Sequence, residues 1–347
     1  MNYDVNATVA KNLIMKTLKA GLVPFVQSQP GIGKSQIVKQ IAEEWNCKII
    51  DVRLSTCTPE DLTGLPKLSD TEAKFVPFNI FPTESYDLGS HKGVILFLDE
   101  FNSCSRSVAA AAYRLVLDRE VGQYKLHPKC AIVCAGNRTE DNAITTELGT
   151  ALTSRLIHIY MKPDLKVWLE EVAYPNKYDP RIMAFLSFNK DNFCNFDPEA
   201  ESSEAYACPR TWEFANRLIY NRELDPEDTI LLSGTLGGSV ATDFIAFTEV
   251  FKEIPDVKEI VSNPESVELV TKQNIKYALV SALISQSTVK NIENIITYLE
   301  RYNETTLMNL YLKAVRAREP KVLQCPKFTQ AVMGLGKALR NVLEDNF

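Results

Sequence analysis

The run Ser28-Gln29-Pro30-Gly31-Ile32-Gly33-Lys34-Ser35 joins a short apolar stretch, Val23 to Val26, to a helical pattern from Gln36 to Trp45. Its residue types suit phosphate. Gly31 and Gly33 let the backbone curl so that successive N–H groups point at phosphate oxygens, and the helix behind adds its dipole at the same place. A lysine at position 34 reaches β- and γ-phosphates, and a hydroxyl at position 35 suits Mg²⁺. Pro30, Gly31, Ile32, Gly33, Lys34, Ser35 and Gln36 are therefore the expected nucleotide contacts. Ser28 stands where the first glycine of a phosphate loop belongs. Because the close approach falls at the later glycines, replacing Ser28 is expected to do little harm.

A second constellation completes the first. Ile95 to Leu98 is a continuous apolar run ending in Asp99-Glu100. Carboxylates at the tip of a buried parallel strand sit where open α/β sheets bind ligands. Asp99 fits the place that organises Mg²⁺ together with Ser35, and Glu100 that of a base orienting and polarising an attacking water. A P-loop kinase has no need of such a glutamate. A third apolar run, Ala131 to Ala135, ends in Gly136-Asn137-Arg138, which places Asn137 to hold the same water from the other side.

Positioning these residues requires alternating strands and helices. An amphipathic helix carrying Val9, Leu13, Ile14 and Leu18 ends at Gly21. Strands follow at 23–26, 48–52, 93–98, 131–135 and 156–161, with helices at 36–45 and 105–117 and a polar hairpin around Gly122. That alternation predicts a parallel α/β sheet through residue 161. Between Ser55 and Lys92 the periodicity breaks down amid four prolines, Pro59, Pro66, Pro77 and Pro82. Beyond residue 162 good strands disappear, and helical patterns at 209–220, 275–284, 292–302 and 305–315 take over.

Composition bounds the rest. At 45% hydrophobic and 24% charged residues the chain reads as an ordinary soluble globular protein. No apolar run nears the ~18 residues of a membrane span, and the N-terminus has no secretory pattern, so a cytoplasmic location is expected. A net charge of −6 disfavours nucleic acid as the main partner, since neutralised phosphates supply most of a general DNA binder's affinity. The eight cysteines form no CxxC pair, and the three histidines lack zinc-finger spacing, which reads as reduced, structural thiols.

In this order the motifs resemble those of AAA+ ATPases, more closely the MoxR-like branch. The resemblance rests on Ser28–Ser35, on Leu98-Asp99-Glu100 and on Ala135-Gly136-Asn137, which is similar to sensor 1. It extends to Ala151-Leu152-Thr153-Ser154-Arg155, similar to the arginine-finger motif, and to Cys208-Pro209-Arg210-Thr211-Trp212-Glu213, similar to sensor 2. It implies a P-loop NTPase core over 1–162 with an insert at about 54–92. An all-helical lid over 163–251 and a C-terminal helical extension over 252–347 follow. It further implies ATP and Mg²⁺ as ligands, Arg155 reaching the γ-phosphate of a neighbouring subunit, and Arg210 contacting phosphate in its own. Such an arginine cannot serve its own site, so hydrolysis would demand a homo-oligomer, expected as a hexameric ring. MoxR-like proteins typically act on partners with von Willebrand factor A domains. Within the insert, Phe75 to Phe81 is unusually apolar for a loop. A client-facing element and a loop packed on its own domain remain equal readings. Arg138 is not assigned a trans contact.

Three functions follow from these residues. The leading one is an ATP-hydrolysing ring that remodels a protein client. A nucleic-acid-stimulated motor or loader is opposed by the acidic balance. A nucleotide-gated scaffold with little turnover is opposed by the joint presence of Glu100, Asn137 and Arg155.

Overall fold

The computed structural model describes residues 3–69, 72–141, 148–199 and 204–344. Residues 70–71 of the insert and 345–347 of the C-terminal region lie outside the described residues.

The chain divides into two compact units, the first Met1–Pro163 together with Asp197–Glu201, the second Asp164–Phe196 together with Ser202–Phe347. In chain order the first contains β1 (Asp4–Val5), α1 (Ala7–Lys19), β2 (Val23–Gln27), α2 (Lys34–Glu44), β3 (Cys47–Arg53) and α3 (Pro59–Thr63). There follow β4 (Leu65–Leu68), β5 (Ala73–Val76), β6 (Gly93–Asp99), α4 (Arg106–Leu117), β7 (Glu120–Val121) and β8 (Tyr124–Lys125). The unit closes with β9 (Cys130–Gly136), α5 (Thr150–Thr153) and β10 (Leu156–Met161).

Six strands form one sheet in the order β1-β10-β2-β9-β6-β3, every pair parallel. β2 is the switch point, because the chain leaves it for the far edge at β3 and later adds β10 on its other side. β6 shows why its sequence is apolar throughout. Val94, Leu96 and Leu98 join the core that holds Val108, Ala112 and Leu115 of α4. Ile95 and Phe97 join the opposite core with Ile14 of α1 and Ile37 and Ile41 of α2. A strand covered by helices on both faces has no solvent side to alternate with. The AAA+ P-loop NTPase fold implied by the motifs is the fold observed, with a helical C-terminal region.

Several elements fell below the resolution of the sequence pattern. β1 pairs only Asp4 and Val5 with Tyr160 and Met161, too short a run to show alternation. The insert holds α3 and the antiparallel β4–β5 hairpin, where no element was expected. Its apolar stretch divides: Phe81 is 2% exposed, whereas Phe75, Phe78 and Ile80 are 46%, 37% and 49% exposed.

Among its described residues the second unit is helical, with one large core. The helices Pro180–Phe188 and Gly238–Thr248 were not read from sequence. In the first, six consecutive residues from Ile182 to Ser187 are buried, so no polar face marks the period. Among the described residues no helix is long and apolar enough to cross a membrane. All eight cysteines are free thiols. Burial pushes the Cys130 thiol up to about 11 and Cys134 up as well, which disfavours the thiolate at both.

Candidate active site

Lys34, Ser35, Asp99, Glu100 and Asn137 gather at the carboxyl ends of three adjacent strands, whereas Arg155 precedes β10 and lies at the amino end of that strand. β2 runs into the loop 28–33, and α2 begins at Lys34 behind Gly33, whose φ of 98° only glycine adopts without cost. Register sets the rest. Gln27 lies opposite Gly136, Leu98 opposite Cys134 and Arg53 opposite Asp99, so the tips of β2, β9, β6 and β3 finish together.

Lys34 Nζ lies within hydrogen-bond distance of Ser28 O at 2.9 Å, Ser28 Oγ at 3.0 Å, Gln29 O at 3.3 Å and Asn137 Oδ1 at 3.1 Å, acceptors among which its three N–H bonds are shared. Ser35 Oγ donates to Asp99 Oδ2 at 3.3 Å. A hydroxyl and a carboxylate side by side are hard oxygen donors, and they fit Mg²⁺ held by one or two protein groups plus substrate phosphates. Close by, burial and the neighbouring Asp99 carboxylate raise the Asp51 carboxyl above its ordinary value, opposed by Arg53 and Lys39. A bound cation would relieve that repulsion between carboxylates.

Glu100 occupies the left-handed region at φ 54°, uncommon for a residue with a Cβ and frequent at functional turns. Its N–H donates to Asp99 Oδ1 at 2.9 Å. Its carboxylate is held from the end of β3 and the 3-10 turn after it, Leu54–Thr56: Ser55 Oγ donates to Oε2, and Arg53 Nε lies 3.4 Å from Oε1.

Sequence reasoning missed three contributors. Arg53 and Ser55 reach Glu100 only through the β3–β6 register. Asn102 is 3% exposed and clamps the backbone of Asn137. Its Nδ2 donates to Asn137 O at 2.7 Å, while Asn137 N donates to its Oδ1 at 3.1 Å. The one available signal was an asparagine two residues past Glu100, and nothing in the sequence tied it to position 137.

Arg155 lies between α5 and β10, just past the C-cap Ser154, and is exposed, with Nη1 donating to Tyr113 OH of α4 at 3.2 Å. Nearby, His158 of β10 joins two parts of the unit. Its Nδ1 lies 3.0 Å from Gln27 Nε2, and its Nε2 lies 3.0 Å from Thr153 O. Arg138 is engaged within the chain, donating to Asp4 Oδ1 at 2.6 Å and Met161 O at 3.1 Å. Arg210 belongs to the second unit, exposed in the first turn of the helix Pro209–Ile219. Two residues on, Trp212 is fully buried and its indole N–H donates to Asn192 O at 3.1 Å. That side chain of the sensor-2-like motif is core. Among the described residues no group of three or more His, Cys, Asp or Glu is placed to hold a metal.

Known proteins resemble this chain at a distance. Thermotoga maritima RuvB, a Holliday junction branch migration motor, is 16% identical with a TM-score of 0.35, covering 80% of this chain and 81% of its own. A candidate ATPase from Cytophaga hutchinsonii is 12% identical with a TM-score of 0.33, covering 95% of both chains. Likenesses this remote add nothing to what strand order and loop geometry carry. No curated protein matches the sequence. Residues 25–156 match the family model of the AAA domain (dynein-related subfamily).

Proposed function

We propose that the chain hydrolyses ATP with Mg²⁺ at this site, in a ring of identical subunits that remodels a protein client in the manner of MoxR-like ATPases. One observation carries the reading: at the carboxyl ends of adjacent parallel strands Lys34 donates to Asn137, and the next residue, Ser35, donates to Asp99 beside Glu100.

In this reading the backbone N–H groups from Gly31 to Gln36 cradle the phosphates, and Lys34 exchanges protein acceptors for β- and γ-phosphate oxygens. Ser35 and Asp99 would hold Mg²⁺, which when bound would supply charge neutralisation at the phosphates. Glu100 and Asn137 orient the attacking water, and Asn102 fixes Asn137 from behind. Arg155 of an adjoining copy leaves Tyr113 and neutralises charge building on the transferred phosphoryl group. Arg210 reports occupancy to the helical region. The apolar side chains on the insert, with Leu65 and Leu68 50% and 79% exposed beside Phe75, Phe78 and Ile80, favour the client-facing reading of that segment. The resemblance points to a partner with a von Willebrand factor A domain.

The test is ATPase rate per subunit against protein concentration, for wild type and for Arg155→Ala mixed with Glu100→Gln. A rate that rises with concentration, with partial recovery in the mixture, supports a shared site. A flat profile with fully active Arg155→Ala would make the chain a solitary nucleotide switch.

A further inference from the structure

The imidazole of His158, on β10, spans two segments that lie far apart in the sequence. One is the end of β2, immediately before the phosphate loop, and the other is the end of α5, two residues before Arg155. Nε2 lies 3.0 Å from Thr153 O, and Nδ1 lies 3.0 Å from Gln27 Nε2. A carbonyl oxygen only accepts, so Nε2 carries the hydrogen and Nδ1 then accepts from the Gln27 amide. One tautomer satisfies both contacts. The ring is also fixed from the side: its centroid is 5.6 Å from that of Phe25, edge to face, and Phe25 is buried.

We infer that His158 is a positioning residue for Arg155: it ties the one-turn helix before this arginine to the strand that leads into the phosphate loop. The inference rests on the reading of Arg155 as the group that serves an adjoining copy's nucleotide. The two ends of the bridge are unequal. Gln27 is 8% exposed, and its main chain stands in register with Tyr160 on one side and Gly136 on the other, so it is the anchor. α5 has four residues, Thr150–Thr153, too few to hold a helix by themselves. Its carboxyl end is fixed at two points. Leu152 is 2% exposed and accepts through its carbonyl from Arg155 N at 3.0 Å, and the imidazole holds Thr153 O. The last carbonyls of a helix lack partners within it, and the histidine N–H supplies one. The Arg155 side chain is exposed. A guanidinium on a long stem is aimed by where its backbone is held, and His158 holds that backbone.

Loss of the Thr153 contact should therefore lower turnover rather than nucleotide binding. His158→Phe keeps a ring against Phe25 and loses both hydrogen bonds. Its kcat should fall roughly ten- to a hundredfold, the scale of a misplaced transition-state group, while KM for ATP changes by less than about twofold. The two side-chain amides divide the contacts. Glutamine brings a donor to the place of Nε2 and reaches Thr153 O, whereas the shorter asparagine reaches only the place of Nδ1 and Gln27. His158→Gln should recover most of kcat, and His158→Asn should not.

The experiment is steady-state ATPase kinetics on the full chain for wild type, the three His158 variants and Arg155→Ala, each variant alone and mixed with Glu100→Gln. In a mixed ring a His158→Phe site gains a neighbour whose His158 and Arg155 are intact. Recovery by glutamine but not asparagine, with recovery of His158→Phe in the mixture, supports the inference. A His158→Phe rate equal to wild type overturns it, as do equal rates for the two amide variants or a faster His158→Asn. If His158→Phe fails to fold, the comparison of the amide variants still decides. If Arg155→Ala recovers in the mixture and His158→Phe does not, His158 acts on its own chain's phosphate loop and the inference alone fails. A fully active Arg155→Ala instead removes the shared-site reading, and the inference with it.

Discussion

Glu100 takes up a left-handed backbone conformation and has both carboxylate oxygens engaged, one by Ser55 Oγ and the other near Arg53 Nε. A carboxylate held this way has fewer lone pairs for a water. Ser55→Ala should therefore raise the basal ATPase rate, by roughly two- to fivefold for one net hydrogen bond. A fall in that steady-state rate would mean that Ser55 instead orients Glu100 productively. The Asn102 clamp predicts the reverse. Asn102→Ala leaves the N–H and C=O of Asn137 without their partner, at about 1–3 kcal/mol for each buried group, and loosens Asn137. Both the thermal midpoint and kcat should fall. Gly136→Ala should reproduce that phenotype, because a Cβ at Gly136 would lie 2.1 Å from Asn102 Oδ1. Calorimetry and ATPase assays on the two variants read the outcome, and a silent Gly136→Ala would contradict the clamp.

The elements show which parts of the chain carry stability and which are available for other work. β6 is locked between two cores, and the site it ends in inherits that rigidity. The insert differs along its own length. Phe81 sits in the core beside Leu62 and Leu126, while Phe78 and Ile80 reach solvent. Phe81→Ala should cost about 3–5 kcal/mol, as for other buried aromatics. Phe78→Ala combined with Ile80→Ala should leave the unfolding midpoint nearly unchanged, since exposed positions usually move stability by about ±0.5 kcal/mol or less. Denaturant unfolding of the two variants separates the roles. If the exposed pair proves as costly as Phe81, the apolar stretch is packing on its own domain, which was the alternative reading of the sequence.

Taken as a whole, the molecule carries separate cores in its two units, two flanking the sheet and one in the helical region, so acid should act on them differently. In the helical unit Asp228 is 2% exposed and accepts from Arg222 Nη1 at 2.8 Å. The Arg222 hydrogen bond holds the Asp228 carboxyl below its ordinary value. A carboxyl depressed in the folded state contributes fully above the unfolded value of about 3.9, and that contribution fades as pH falls through the lower folded value. Asp228→Asn should thus lower the thermal midpoint at neutral pH, with the difference from wild type shrinking in acid below about pH 4. A constant difference from pH 7 to pH 2 would remove the ion pair from the account. The same division by scale separates what was legible in the sequence. The strand, loop and helix around Lys34 were legible, as were the apolar run ending in Asp99 and Glu100 and the one ending before Asn137. Each is contiguous, and its pattern is set by neighbours along the chain. The parallel core followed from them. The hydroxyl of Ser28 against Lys34, the grip of Ser55 and Arg53 on Glu100, and the clamp of Asn102 on Asn137 were not legible. The last two join residues 45 and 35 positions apart, and strand register decides which side chains meet. Register is a property of the assembled sheet. A single strand's sequence fixes which of its residues are apolar, but only packing against its neighbours fixes what stands beside each one.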